Sequence, residues 1–277
     1  MKTIITVIFA LISLSGQAQI SKETVPQQEP RSLDAPFLLK TNWDQWGVYA
    51  KYTPENQVLG CWSTALAQIL YYHQLKPHGL VDYQCSRGYK ISDTLSKYNI
   101  NWKDFESKIT QNSSPQNIDA VARYSYLTAM AIRKDFGTGR YLEMVNPAPQ
   151  LEKHFDCKAE FYGSFSGKIP FSEEQLLGIA QKESIRHLIK RDSVELVVMK
   201  EIDQKRPVYL HMGNFTTYGH STVIDGYLKK DGVFYVHINY GSSGFRTGWY
   251  DLFKPIDVED DIKLRAFVTV RPLSSLE

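Results

Sequence analysis

Cysteine is scarce: the 277 residues hold three, Cys61, Cys85 and Cys157. So few thiols exclude a disulfide-dense scaffold. If Cys85 and Cys157 pair, Cys61 is the thiol left over; two separately buried thiols fit the count equally well. Close Cys-x-x-Cys and His-x-x-x-His spacings are missing, so little supports a zinc site built from Cys61 with His211, His220 or His237. An excess of one charge is missing as well. Thirty-two basic residues face 30 acidic ones, which gives no footprint for a nucleic-acid partner. The chain has no heptad array and no internal repeat. After the first twenty residues it has no long apolar run, so no membrane span is expected in the mature chain.

Those first residues read as a leader. Lys2 supplies a short positive region, Ile4 to Leu14 an apolar stretch too short to span a bilayer, and Gly16-Gln17-Ala18 the small residues of a cleavage site. Residues 1–18 are therefore expected to be a signal peptide, cut after Ala18, and the protein to be exported to the periplasm, cell surface or exterior. Residues 19–36 are polar and proline-containing, and read as a flexible leader or short propeptide. The folded domain is expected over 37–277, with a helical half to about residue 205 and a sheet half beyond it.

The helical half is read from spacing. Trp62, Ala65, Leu66 and Ile69 repeat at helical intervals and predict a helix that stops near Lys76-Pro77-His78-Gly79. Ser114-Pro115 is an N-cap and first-turn pair that starts a helix to about Ile132. Further helices are predicted from Ser172 to about Lys190 and from Ser193 to Asp203. After Pro207 the pattern changes to β-branched and aromatic strands: Val208–Met212, Ser221–Tyr227, Val233–Tyr240, Trp249–Phe253 and Ala266–Val270. Lys230-Asp231-Gly232 predicts a hairpin turn between the second and third. Helices first and antiparallel strands afterwards argue for an α+β fold, with a site in the cleft between the halves.

Cys61 begins the first helix, directly after Gly60. Unpaired N–H groups and the dipole at a helix N-terminus favour the thiolate, the form that attacks carbonyls. Acyl transfer by a thiol also needs a base, a group that orients it, and oxyanion donors. His220 can be the base: Gly219 clears space beside it and the apolar Val223-Ile224 follows, although His211 and His237 are rivals in neighbouring strands. Asn239 can fix the imidazole tautomer, because it ends the strand paired with the one His220 begins. An oxyanion amide can come from Gln45 or Gln57, and spacing alone does not choose between them.

The segments Gly60-Cys61-Trp62-Ser63-Thr64-Ala65-Leu66-Ala67-Gln68-Ile69, Gly219-His220-Ser221-Thr222-Val223-Ile224-Asp225-Gly226 and Val236-His237-Ile238-Asn239-Tyr240-Gly241 resemble, in order, three motifs of the streptopain and interpain family of papain-like cysteine peptidases. Trp43-Asp44-Gln45 resembles the segment carrying that family's oxyanion glutamine, which selects Gln45. The resemblance implies a papain-like α+β fold and endopeptidase action on proteins outside the cell, with polypeptide substrates and no metal or organic cofactor. Its implied catalytic set is Cys61, His220, Asn239 and Gln45. It departs at Tyr240 and Ser242, where the family carries tryptophan, and residues 19–36 are too short for the family's inhibitory prodomain. A separate inhibitor protein resembling that prodomain is one way to supply latency. The loop Gly137-Thr138-Gly139-Arg140 falls where the family forms part of its substrate wall. The readings that compete with an active peptidase are an inactive papain-like binding protein and a thiol acyl-transfer enzyme of transglutaminase-like type.

Overall fold

The computed structural model describes residues 28–142, 146–164, 187–189, 191–213, 219–257 and 265–275. The leader expected over 1–18 lies outside the described residues, as does most of the helix predicted from Ser172. Four α-helices are described: α1 (Cys61–Tyr72), α2 (Pro115–Ala131), α3 (Ala148–His154) and α4 (Arg191–Asp203). A small hairpin joins β1 (Leu80–Gln84) to β2 (Lys90–Thr94). The main sheet contains β3 (Cys157–Ser164), β4 (His187–Ile189), β5 (Val208–Gly213), β6 (Gly219–Lys230), β7 (Val233–Asn239), β8 (Gly248–Asp251) and β9 (Arg265–Pro272). Its order is β4-β3-β9-β5-β6-β7-β8, antiparallel except for the β3–β4 pair.

Local signals set the helix ends. The Ser114 hydroxyl accepts the Asn117 N–H at 3.1 Å, with Pro115 in the first turn, and α2 runs to Ala131. That bond satisfies one of the orphan donors of a helix start. The β6–β7 turn places Asp231 at φ 51 and Gly232 at φ 73, the left-handed pair that a two-residue hairpin turn needs.

The helical half is less purely helical than the sequence suggests. β3 and β4 come from it and add to the far side of the main sheet. His187–Ile189, placed by sequence near the end of a helix, is a strand parallel to β3. A three-residue strand is too short to show a period, and pairing with β3 decides its form.

Both faces of the sheet are covered. Tyr209, Val223 and Val268 join α1 and α2 in one apolar cluster, while Leu210, Ile224 and Phe267 join Val194, Val198 and Ile202 of α4 in another. Successive residues point to opposite faces, so β5 and most of β9 are buried at every position and read as continuous apolar runs. The β8 edge is covered too. Arg31 exchanges both backbone bonds with Trp249 (3.0 and 3.1 Å), and Pro30 lies so close to Gly248 that a Cβ there would stand 2.8 Å from it. Residues 28–36, which the sequence assigns to a leader, thus run along the sheet.

Candidate active site

Gly60 caps α1 at φ 87, and a Cβ on it would stand 2.8 Å from the Tyr141 hydroxyl and 3.1 Å from Lys134 Cε. Backbone angle and space both demand glycine there. The tight approach lets Tyr141 close the helix start: its hydroxyl accepts the Ser63 N–H at 3.0 Å, meets the Ser63 hydroxyl at 2.9 Å, and its ring stacks on Trp62 at 4.6 Å. Cys61, at the first position of α1, stays half-buried, whereas Cys85 and Cys157 are buried; all three are free thiols.

α1 packs on α2 and on β6, which brings Cys61 to His220 at the start of β6. Burial pushes the Cys61 thiol up. The hydrogen bond and charge of His220, with bonds from the Ser221 backbone and hydroxyl, outweigh it and hold the thiol below its ordinary value. The imidazole responds in the opposite sense. Burial pushes it down, but the bond and charge of Cys61, the charge of Asp257 and the Tyr240 carbonyl hold it above the ordinary histidine value. Reciprocal shifts of this kind bring the two groups' proton affinities together, in the direction that favours a thiolate–imidazolium pair. His220 Nε2 lies 3.1 Å from the Tyr240 carbonyl oxygen, so that nitrogen carries the proton it donates.

Asn239 sits near this pair, and its side chain is engaged elsewhere. Its oxygen accepts from Gln68 Nε2 and from the Gly241 N–H, both at 3.2 Å, and its amide donates to the Thr41 carbonyl. The carbonyl that meets His220 belongs to the next residue, Tyr240. Asn239 therefore shapes the turn that delivers that carbonyl, in place of the direct bond that the sequence suggests.

Gln45 is held against the start of α1 by its backbone. Its carbonyl accepts the Leu59 N–H at 3.1 Å, and its N–H donates to the Asp44 side chain at 2.7 Å. The other Asp44 oxygen accepts the Ser243 hydroxyl at 2.7 Å, tying this segment to the loop after β7. The rival histidines are committed to other partners. His211 bonds the Ser221 hydroxyl at 2.9 Å, and His237 bonds Asp225 at 2.6 Å.

Ser221, Tyr141, Lys134 and Asp257 were not singled out by sequence reasoning. Lys134 is fully buried behind Gly60, and burial lowers it to about 8 while the Cys61, Asp135 and Cys85 charges oppose the fall. Its ammonium donates to the Thr138 and Arg140 carbonyls at 2.5 and 3.2 Å, pinning the Gly137–Arg140 loop. In the sequence Lys134 is the middle charge of Arg133-Lys134-Asp135 after a helix, and nothing there marks it as the buried one. Among the described residues, no cluster of three or more histidine, cysteine or acidic side chains has the geometry to hold a metal ion.

Residues 43–250, from the Gln45 segment through most of β8, match the model of the Peptidase C10 family. The chain belongs to that family. Streptopain from Streptococcus pyogenes is 27% identical over 235 residues, covering 82% of this chain and 52% of streptopain. The chain thus spans about half the length of the curated relatives it matches. Two solved structures share the papain-like α+β fold. A prointerpain A fragment from Prevotella intermedia has a TM-score of 0.61 at 20% identity, covering 88% of this chain and 75% of that one. The active wild-type interpain A cysteine protease of the same organism has a TM-score of 0.57 at 22% identity, covering 83% and 92%.

Proposed function

We propose that this C10 family member is an exported cysteine endopeptidase acting on polypeptides. The observation that carries the reading is the Cys61–His220 pair, with its two opposed shifts. Neither residue is fully buried, as a site that must admit a substrate carbonyl requires. The Cys61 thiolate attacks the scissile carbonyl. His220 takes the Cys61 proton, gives it to the leaving amine and then takes one from the water that cleaves the thioester. The Tyr240 carbonyl keeps the imidazole in the tautomer whose other nitrogen faces sulfur. The Cys61 N–H and the Gln45 amide receive the oxyanion, and Asn239 sets the turn behind the base. Export is supported by the charged, apolar and small-residue order of residues 1–18. No described helix is long and apolar enough to cross a membrane.

Hydrolysis of a denatured protein tests the reading. Cys61→Ala is expected to lower kcat/KM by at least about 10⁴-fold, as removal of a nucleophile generally does. A peptidyl epoxide should label Cys61 and spare Cys85 and Cys157. Full turnover by Cys61→Ala would overturn the assignment.

A further inference from the structure

Asp257, a buried carboxylate six residues beyond the end of β8, has no part in the chemistry above. Its Oδ2 accepts the phenolic proton of Tyr240. Tyr240 meets His220 twice: its carbonyl accepts from Nε2 at 3.1 Å, and its ring lies on the imidazole with centroids 4.5 Å apart and planes 33° from parallel. The Tyr240 N–H is held by the Thr247 hydroxyl at 3.2 Å. Arg246 stands 5.2 Å from the centre of the Tyr240 ring and donates to the Ile256 carbonyl at 2.8 Å, next to Asp257, and to the Gln28 carbonyl at 3.0 Å.

We propose that Asp257 is a positioning residue for His220, acting through Tyr240. The inference rests on the peptidase reading of Cys61 and His220. The Nε2 bond to the Tyr240 carbonyl and the bond to the Cys61 sulfur fix directions within the imidazole plane, but hydrogen bonds bend easily and hold the tilt of that plane only softly. The Tyr240 ring supplies the missing constraint, because a flat surface against one face selects the plane. A ring held by packing alone can slide. A ring whose para-hydroxyl is bonded to a buried carboxylate cannot slide without breaking a charge-assisted hydrogen bond in a poorly solvated place. The carboxylate has a second consequence that a neutral acceptor would lack, since its charge favours the imidazolium.

Among the described residues, few charged and titratable groups surround His220. Cys61 faces it from α1, and Tyr240 from the end of β7 with Asp257 behind it. Arg246 lies by the Tyr240 ring, while Lys134 and Tyr141 lie by Cys61. Among the described residues, Asp257 is the carboxylate whose charge raises His220, and its removal withdraws that support. With less to stabilise it, the imidazolium loses its proton at lower pH.

The experiment uses Tyr240→Phe, Asp257→Asn, Tyr240→Trp and the double variant Tyr240→Trp/Asp257→Asn in the full chain. Turnover and the pH profile of Cys61 alkylation by iodoacetamide are measured for each. Tyr240→Phe keeps the ring and the charge but removes the anchor; kcat should fall about tenfold with KM within about twofold, a loss in the transition state alone. Asp257→Asn should show that loss and also move the alkaline limb of kcat/KM down by about half a pH unit or more, the direction expected when an opposite charge is removed. Tyr240→Trp fills the shelf by bulk, so in that background Asp257→Asn should still move the limb but cost little kcat. Wild-type kcat and an unmoved limb in both Tyr240→Phe and Asp257→Asn would overturn the proposal while leaving the peptidase reading intact. A wild-type chain that hydrolyses nothing would instead overturn the peptidase reading, and the alkylation profile would still report whether Asp257 acts on His220. If Asp257→Asn fails to fold, Tyr240→Phe and Tyr240→Trp decide: unchanged kcat in the first overturns the proposal.

Discussion

The β6–β7 hairpin carries two histidines, His220 where β6 begins and His237 within β7, each bonded to a group that can bear negative charge. At the His237 corner the partner is the Asp225 carboxylate at 2.6 Å. The β6–β7 register shifts at that point, and the bulge aims Asp225 across the hairpin. Phe37 stacks on the imidazole at 4.0 Å, Trp249 meets it edge-on at 5.3 Å, and both members of the pair are buried. The Asp225 carboxylate and carbonyl also accept the N–H groups of Leu39 and Leu38, at 3.0 and 2.8 Å. That corner is a clasp for the chain entering the domain. At the His220 corner the partner is sulfur, one ring face meets Tyr240, and both members stay partly exposed. Similar pairs become structural or reactive according to what covers them and whether the acid is a nucleophile.

Breaking the reactive corner should have the largest effect. In His220→Ala the bond and charge that lower the Cys61 thiol most are gone, and burial, which raises it, is opposed by the weaker effects of Ser221 and Lys134. The acid limb of iodoacetamide alkylation should therefore move to higher pH, because the thiolate now forms only in more alkaline solution. Turnover should fall by at least about 10³-fold, since the leaving amine also loses its proton donor. Unchanged alkylation at acid pH would break the comparison, because His220 would then be as passive as His237.

The reactive corner was far more legible in the sequence than the clasp. Cys61 after Gly60 and His220 after Gly219 stand at element starts, where local signals of cap, glycine and apolar run are strong. The starts of α1, α2 and, to within two residues, α4 were legible for the same reason, as were the strands after Pro207. β3 was not, because its place in the sheet is decided by pairing with β9, more than a hundred residues later in the chain. The bond from His220 to a carbonyl, rather than to Asn239, was also invisible: Asn239 is drawn away by Gln68, Thr41 and Gly241, partners that tertiary packing alone supplies. Lys134, Asp257 and the Asp225–His237 clasp are illegible for a related reason, since burial and side-chain pairing, which no sequence spacing displays, decide what each does.

Breaking the clasp should be smaller in rate and visible in stability. Asp225→Ala leaves the Leu39 N–H and the His237 ring without the carboxylate they share, and both are buried. Orphaned buried donors cost about 1–3 kcal/mol each, so a loss of about 3 kcal/mol in unfolding free energy is expected by denaturant titration. Activity per folded molecule should stay within about twofold, a margin well inside what removal of a catalytic group produces. A large loss of kcat in a fully folded Asp225→Ala protein would show that the two corners are coupled along the hairpin.

The smallest expected effect tests Lys134, the buried cation on the Gly60 side of the reactive corner. Lys134 is raised by the Cys61 charge, and the attraction is reciprocal: a protonated Lys134 favours the thiolate. It acts from behind Gly60, however, and its ammonium is already spent on the Thr138 and Arg140 carbonyls, whereas His220 is bonded to the sulfur itself. In Lys134→Met the acid limb of Cys61 alkylation should therefore move up, in the same direction as in His220→Ala but by about half a pH unit or less, as expected for a more remote charge. The Gly137–Arg140 loop loses its pin, so KM for a peptide substrate should rise more than kcat falls. The split between the two readouts separates charge from anchoring: Lys134→Arg keeps the charge in a different shape and should hold the alkylation limb while disturbing KM. If both variants leave the limb and KM untouched, the buried lysine serves the fold alone, and the reactive corner draws its charge balance entirely from the β6–β7 side.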